Sequence, residues 1–172
     1  MKDHLRERQL AKAIGFTLIE VMLVIAVVGI LALVTVPKYQ AMTTEYHLQS
    51  SADLLAGQLR YAKQLAMDRR QNIAVGLTAH TVQVFQILNP PGQFDPLGQA
   101  QTFATGVEFS GASNAWLNQN LAFTYVYFDY RGFTQTNPAG TTAVFTLMAP
   151  AGGQRVQVNL EAGTGNVTVS WP

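Results

Sequence analysis

One acidic side chain stands where an acid is energetically costly. Glu20 is the only charged residue in the stretch from Phe16 to Val36. A helix over that stretch would rise about 31 Å, close to the hydrocarbon thickness of a bilayer. An ionised carboxylate inside hydrocarbon costs on the order of 2.5–3.5 kcal/mol. Glu20 therefore either pairs with a cation in an assembly or simply extends to the membrane interface.

The segment before this stretch, residues 1–15, is polar and basic, with four Lys or Arg side chains against two acids. An ordinary cleaved signal places its basic region directly before the apolar run and a small-x-small site after it. Here Thr17 and Glu20 separate the basic residues from the continuous apolar run, and Val34-Thr35-Val36-Pro37 offers no such site. The sequence therefore disfavours an ordinary cleaved signal. The positive-inside rule keeps residues 1–15 in the cytoplasm and sends the chain after Pro37 across the membrane.

A specific motif opens the apolar stretch and reads Gly15-Phe16-Thr17-Leu18-Ile19-Glu20. It resembles the N-terminus of type IV prepilins and pseudopilins. The resemblance implies that a membrane-embedded prepilin peptidase cuts between Gly15 and Phe16 and methylates the new amino group of Phe16. It further implies that Glu20 of one subunit pairs with the Phe16 amine of a neighbour, so that two costly charges compensate each other inside a helical bundle.

Two helix-weakening residues lie in or at the end of the apolar run. Gly29 has no side chain and lets a neighbouring helix approach closely. Pro37 marks the membrane exit, and in the resembled family a proline at this position gives the helix a gentle bend.

Helix-forming residues continue from Lys38 to about Arg70. Apolar residues recur there with spacings of three and four, which predicts one apolar stripe that packs on a sheet. The stripe consists of Leu48, Ala52, Leu55, Leu59, Ala62 and Ala66. Four cations lie at the end of this helix: Arg60, Lys63, Arg69 and Arg70. They are either a weak DNA-contacting patch or a solvated helix face with cations placed favourably near the C-terminal dipole.

From Ile73 onward, apolar and polar residues alternate, which predicts strands. We expect strands at 73–77, 82–84, 102–109, 121–128, 143–147, 156–160 and 167–171. Residues 89–98 are rich in Pro and Gly and are expected to form a loop, as is 110–120, and Asp129-Tyr130-Arg131-Gly132 forms a turn. This order resembles the GspH/FimT type of minor pilin.

Composition gives no support to catalysis. Cysteine is absent, and the three histidines, His4, His47 and His80, have no ligand spacing. Sequence motifs of hydrolases, metalloproteases and nucleotide-binding proteins are missing, so we expect no enzyme activity, metal or cofactor. The net charge is +1, and removal of the leader leaves about −1, which argues against a broad nucleic-acid surface.

These observations predict an α+β, pilin-like fold, in which a long N-terminal helix packs on an antiparallel sheet. The expected segments are a cleaved leader at 1–15, a transmembrane or filament-core helix at 16–37, an amphipathic helix at 38–72 and a β-rich domain at 73–172. The predicted protein is a minor pilin or pseudopilin of the inner membrane with an extracytoplasmic domain. Its partners are the prepilin peptidase and other subunits. The alternatives are a DNA-binding minor pilin of a competence pilus and an anchored domain that never assembles.

Overall fold

The computed structural model describes residues 16–88, 92–118, 122–149 and 153–172. Within these ranges there is a single helix, α1, which runs from Leu18 to Arg69 and contains Pro37 in its interior. It ends because Arg70 adopts a left-handed conformation, with φ of 52°, and the Gln71 N–H then donates to the Ala66 carbonyl at 3.2 Å. This is the hydrogen bond of a Schellman cap, here built on arginine instead of the usual glycine.

The chain divides into two compact units, 1–41 and 42–172. In the first unit the described residues belong mainly to α1, and they form a strongly apolar helix. The most apolar 18-residue window of α1 has a mean hydropathy of 2.8 and no buried residue. By length and composition, α1 is the one helix in the described parts of the chain that could cross a membrane.

In its described residues, the second unit contains the rest of α1 and eleven strands in two antiparallel sheets. The first sheet has the order β3-β2-β1-β7-β6, with β4 beside β2 and β8 beside β7, and the second has the order β11-β10-β9-β5. The strands are β1 Ile73–Leu77, β2 Thr81–Leu88, β3 Gln93–Pro96, β4 Gln101–Thr102, β5 Glu108–Ser113, β6 Trp116–Asn118, β7 Phe123–Phe128, β8 Thr134–Gln135, β9 Ala143–Met148, β10 Arg155–Leu160 and β11 Val167–Ser170.

The core forms where α1 meets both sheets. All six residues of the predicted stripe are buried, and Ser51 and Ala56 are buried with them. Strands β9 and β10 bury every second residue, as the alternation in the sequence predicts. Ser51 is tolerated in the core because its hydroxyl accepts the Ala104 N–H at 3.0 Å. This bond ties the segment around Ala104 to α1.

The structure corrects the predictions between 89 and 120. The strand expected at 102–109 is wrong: the chain turns, with the Val107 N–H donating to the Ala104 carbonyl, and separates β4 from β5. The loop expected at 89–98 contains β3, which tolerates Pro96 because β3 lies at a sheet edge. The loop expected at 110–120 contains most of β5 and all of β6. Residues 89–91, 119–121 and 150–152 lie outside the described residues.

Candidate functional site

The head of α1 presents an exposed aromatic residue, a cap and one acid. Phe16 is 80% exposed, and Glu20 lies in the first turn. The Thr17 hydroxyl accepts the Glu20 N–H at 3.3 Å, so Thr17 is the N-cap residue. The Thr-x-x-Glu spacing is that of a capping box. This spacing is visible in the sequence, where Thr17 and Glu20 are interpreted above only in relation to the membrane and the prepilin motif. Gly15, the other half of the expected cleavage site, lies outside the described residues.

None of the residues that the structure describes covers the apolar surface behind this head. From Phe16 to Val36, the large apolar side chains are between 48% and 80% exposed. A Cβ added to Gly29 would meet no atom within 4 Å. The close approach that we predicted at Gly29 therefore requires another molecule. Such a continuous apolar surface is stable only against lipid or other apolar helices.

Pro37 does not end the helix, since α1 continues to Arg69. Its role as a membrane exit or bend stays a prediction. Two residues before Pro37, the Thr35 hydroxyl donates to the Leu31 carbonyl at 2.8 Å. This bond satisfies a polar side chain within the apolar stretch without a partner from outside the helix.

Three of the four cationic residues near the end of α1 contribute to the fold of the domain. The Arg60 guanidinium donates to the Val167 carbonyl at 3.2 Å, and the Lys63 ammonium donates to the Thr164 carbonyl at 2.7 Å. The two bonds hold the start of β11 and the turn before it against the helix. Arg70 forms the left-handed cap described above, and Arg69 is the basic residue of the last helical turn. A phosphate-contacting patch of Arg60, Lys63, Arg69 and Arg70 receives no support from this arrangement.

The turn after β7 is built around Asp129, which is only 8% exposed. One carboxylate oxygen accepts the backbone N–H groups of Arg131 and Phe133, and the other accepts the Arg131 guanidinium at 2.8 Å. Burial by itself would raise the pKa of Asp129, but the hydrogen bonds from Arg131 and Phe133 outweigh it and leave the pKa below its ordinary value. Sequence reasoning identified the turn but not the buried carboxylate that shapes it.

The outer face of the first sheet carries an aromatic cluster that the sequence did not reveal. Phe85 and Phe123 stack with ring centroids 5.0 Å apart, and Phe94 meets Phe123 edge-on at 5.3 Å. The stack lies over Gly76, where an added Cβ would come within 2.8 Å of the Phe123 ring. A glycine in the central strand β1 thus creates the trough that the rings fill.

The described residues contain no group of three or more side chains suited to hold a metal ion. Among the histidines, the His47 ring nitrogen Nδ1 lies 2.9 Å from the Thr105 carbonyl, a contact within the fold.

A membrane-length apolar helix, headed by one acid and continuing into a helix-on-sheet domain, defines the pilin-like class of protein. Two family models match the chain. "Type II transport protein GspH" covers residues 51–164, and "Prokaryotic N-terminal methylation motif" covers residues 10–36. The chain belongs to the GspH family, as the GspH/FimT resemblance predicted.

Solved structures show the same fold. The minor pseudopilin EpsH of the Vibrio cholerae type 2 secretion system matches with a TM-score of 0.54 at 11% identity, covering 73% of this chain and 98% of that one. The type IV minor pilin FimU of Pseudomonas aeruginosa matches with a TM-score of 0.53 at 16% identity, covering 76% and 96%.

A curated relative, fimbrial protein EcpC of Eikenella corrodens, is 36% identical over 69 residues, which are 38% of this chain and 45% of the relative. This match spans less than half the length of that relative. None of the matches described here supports DNA as a partner.

Proposed function

We propose that this chain is a structural subunit of a type IV pilus or a type II secretion pseudopilus, processed between Gly15 and Phe16 and assembled through Glu20. The peptidase removes residues 1–15 and methylates the Phe16 amine. Before assembly, the subunit lies in the inner membrane with its N-terminus in the cytoplasm and its β-rich domain on the other side. Its contribution is structural, and the enzyme in the process is the peptidase.

The observation that carries this proposal is the uncovered apolar surface of α1 with one acid at its head. The large apolar side chains of that surface are about half exposed or more, and none is buried. Lipid alone would satisfy the apolar side chains, but it would leave the Glu20 carboxylate uncompensated. A bundle of such helices from neighbouring subunits covers the surface and can supply the missing cation.

The processed Phe16 amine is a suitable cation. It would stand at the N-terminus of α1, where the helix dipole already places about half a positive charge. An ammonium group there is unfavourable unless a carboxylate lies nearby, and each subunit provides one of each. Pairing Glu20 with the Phe16 amine of a neighbour neutralises both charges and fixes the axial register of adjacent subunits.

Replacing Glu20 tests the assembly contact. Glu20→Val should leave the chain processed and folded in the membrane, while its amount in sheared filament or pseudopilus fractions falls at least tenfold. Glu45→Val is the matched control, since it makes the same change at an exposed acid on the same helix but outside the apolar stretch. Immunoblots of sheared and membrane fractions measure the ratio. Wild-type incorporation of Glu20→Val would refute the pairing, and absence of the wild-type protein from such fractions would favour an anchored domain that never assembles.

Replacing Gly15 tests the cleavage site. Gly15→Ala should leave membrane insertion intact but cause the unprocessed chain to accumulate, because the added methyl group interferes at the scissile bond. Gly29→Ala is the matched control, since it makes the same change where space is open. Mass spectrometry of the N-terminal peptide identifies the first residue and its methylation. Normal removal of residues 1–15 from Gly15→Ala would count against the assigned site.

A further inference from the structure

An uncharged aromatic cavity of about 220 Å³ opens on the outer face of the first sheet. Trp116, Tyr125, Tyr127 and Phe94 line it, together with the polar side chain of Asn72. Sites for drug-sized ligands usually measure about 300–1,000 Å³. This cavity is smaller, so it admits one ring or one side chain of a larger partner. Among the residues that the structure describes, no charged side chain lines it, which disfavours an ionic ligand.

The cavity has a rigid base. Phe94 packs edge-on against the Tyr125 ring, with centroids 5.0 Å apart, and also against the stacked Phe85–Phe123 pair. Trp116 faces Tyr125 directly across the β6–β7 ladder. Because Phe94, Tyr125 and the Phe85–Phe123 pair are held by one another, the base of the site exists before a ligand arrives. A preformed site avoids the entropic cost of ordering its side chains on binding.

The polar groups of the cavity can both donate and accept hydrogen bonds. Burial, with the nearby Tyr127 phenol, raises the pKa of Tyr125, so its phenol stays protonated. Each phenol has one donor and acceptor lone pairs, and the Asn72 amide likewise has both kinds of group. A proline-rich peptide offers this site chiefly carbonyl acceptors. A sugar ring offers hydroxyls, which donate and accept, and apolar C–H groups that pack on aromatic rings.

We propose that the cavity between Trp116, Tyr125, Tyr127 and Asn72 binds one neutral pyranose ring of a sugar or polysaccharide. The ring packs its C–H groups on the aromatic side chains, and its hydroxyls exchange hydrogen bonds with the two phenols and the amide. This inference goes beyond the structural role of the subunit and does not depend on it.

The fluorescence of Trp116 provides the test. The chain has two tryptophans, so Trp171→Phe leaves Trp116 as the only reporter. The full chain is purified in a phosphocholine detergent, because alkyl-glycoside detergents would compete for the site. It is then titrated with the neutral methyl glycosides of glucose, galactose, mannose and N-acetylglucosamine. At least one should change the emission saturably with a Kd of about 1–10 mM, as expected for a single ring.

Tyr127→Phe removes one hydroxyl and keeps the ring, so it should weaken that binding about fivefold. Tyr61→Phe, on the exposed side of α1, makes the same change elsewhere and should not alter it. A trisaccharide that binds more tightly than the matching methyl glycoside identifies a polysaccharide as the source, and equal affinity identifies a single sugar. The proposal is overturned if no glycoside changes the Trp116 emission at concentrations up to about 100 mM. It is also overturned if a capped tetraproline peptide binds and the glycosides do not.

Discussion

The two parts of α1 share one backbone but satisfy their apolar side chains in opposite ways. In the part from Leu18 to Ala41, every described residue is exposed. In the part from Met42 to Arg69, eight residues are buried against the two sheets. The second part is thus stabilised by its own chain, whereas the first depends on lipid or other subunits. One helix therefore carries both a surface that is buried in its own domain and an apolar surface that the described residues leave exposed.

This difference explains why the sequence patterns also differ. A stripe with spacings of three and four suits a helix that has one buried side and one solvated side. An apolar surface all round suits a helix surrounded by other apolar groups. Stability of the β-rich domain and incorporation into a filament should consequently respond to different substitutions on the same helix.

The largest expected effect comes from a matched pair of leucines. Leu59→Ala removes a fully buried side chain and should lower the free energy of unfolding of the β-rich domain by about 2–5 kcal/mol. Leu31→Ala makes the same change on an exposed side chain and should alter that free energy by less than about 0.5 kcal/mol. Denaturant unfolding of the full chain in detergent, followed by tryptophan fluorescence, measures both. Equal losses would remove the distinction between the two parts.

A matched pair of glycines should give a smaller effect. In Gly76→Ala the new methyl group would lie within 2.9 Å of the Phe85 and Phe123 rings, so we expect a loss of about 1–3 kcal/mol. Gly29→Ala meets no atom and should leave unfolding of the domain unchanged, while altering incorporation into filaments. Thermal unfolding and filament fractionation of both variants separate the outcomes. Unchanged stability of Gly76→Ala would mean that the aromatic cluster adjusts freely.

The smallest expected effect is the pH dependence contributed by Asp129. Its pKa is lowered in the folded state, so its stabilising contribution is complete above the unfolded pKa of about 3.9 and is lost as the pH falls through the folded value. Asp129→Asn keeps acceptors for the backbone N–H groups but loses the charged bond to Arg131, which should cost about 1 kcal/mol at pH 7. In denaturant titrations the difference from wild type should begin to shrink as the pH falls below about 4, and it should vanish only once the pH is below the lowered folded pKa of Asp129. A difference that did not shrink with falling pH would contradict this account.

The sequence predicted α1 and its buried stripe because periodicity and length depend on local residues alone. Strands β9, β10 and β11 were predicted for the same reason, since strict alternation marks one buried face. Strands β3 and β6 were missed because each is short, lies at a sheet edge and owes its existence to a partner strand. The second sheet was missed as well, because strand pairing joins residues that are distant along the chain.

The sequence by itself determined the membrane-length helix, the motif from Gly15 to Glu20 and the family of the chain. Tertiary structure decided what the other notable residues do. It brought Arg60 to a carbonyl at the start of β11 and Lys63 to a carbonyl of the β10–β11 turn, and it buried Asp129 within its own turn. It also gathered aromatic residues from separate strands over Gly76. Local pattern specifies a helix, but only the packed sheets decide which side chains meet.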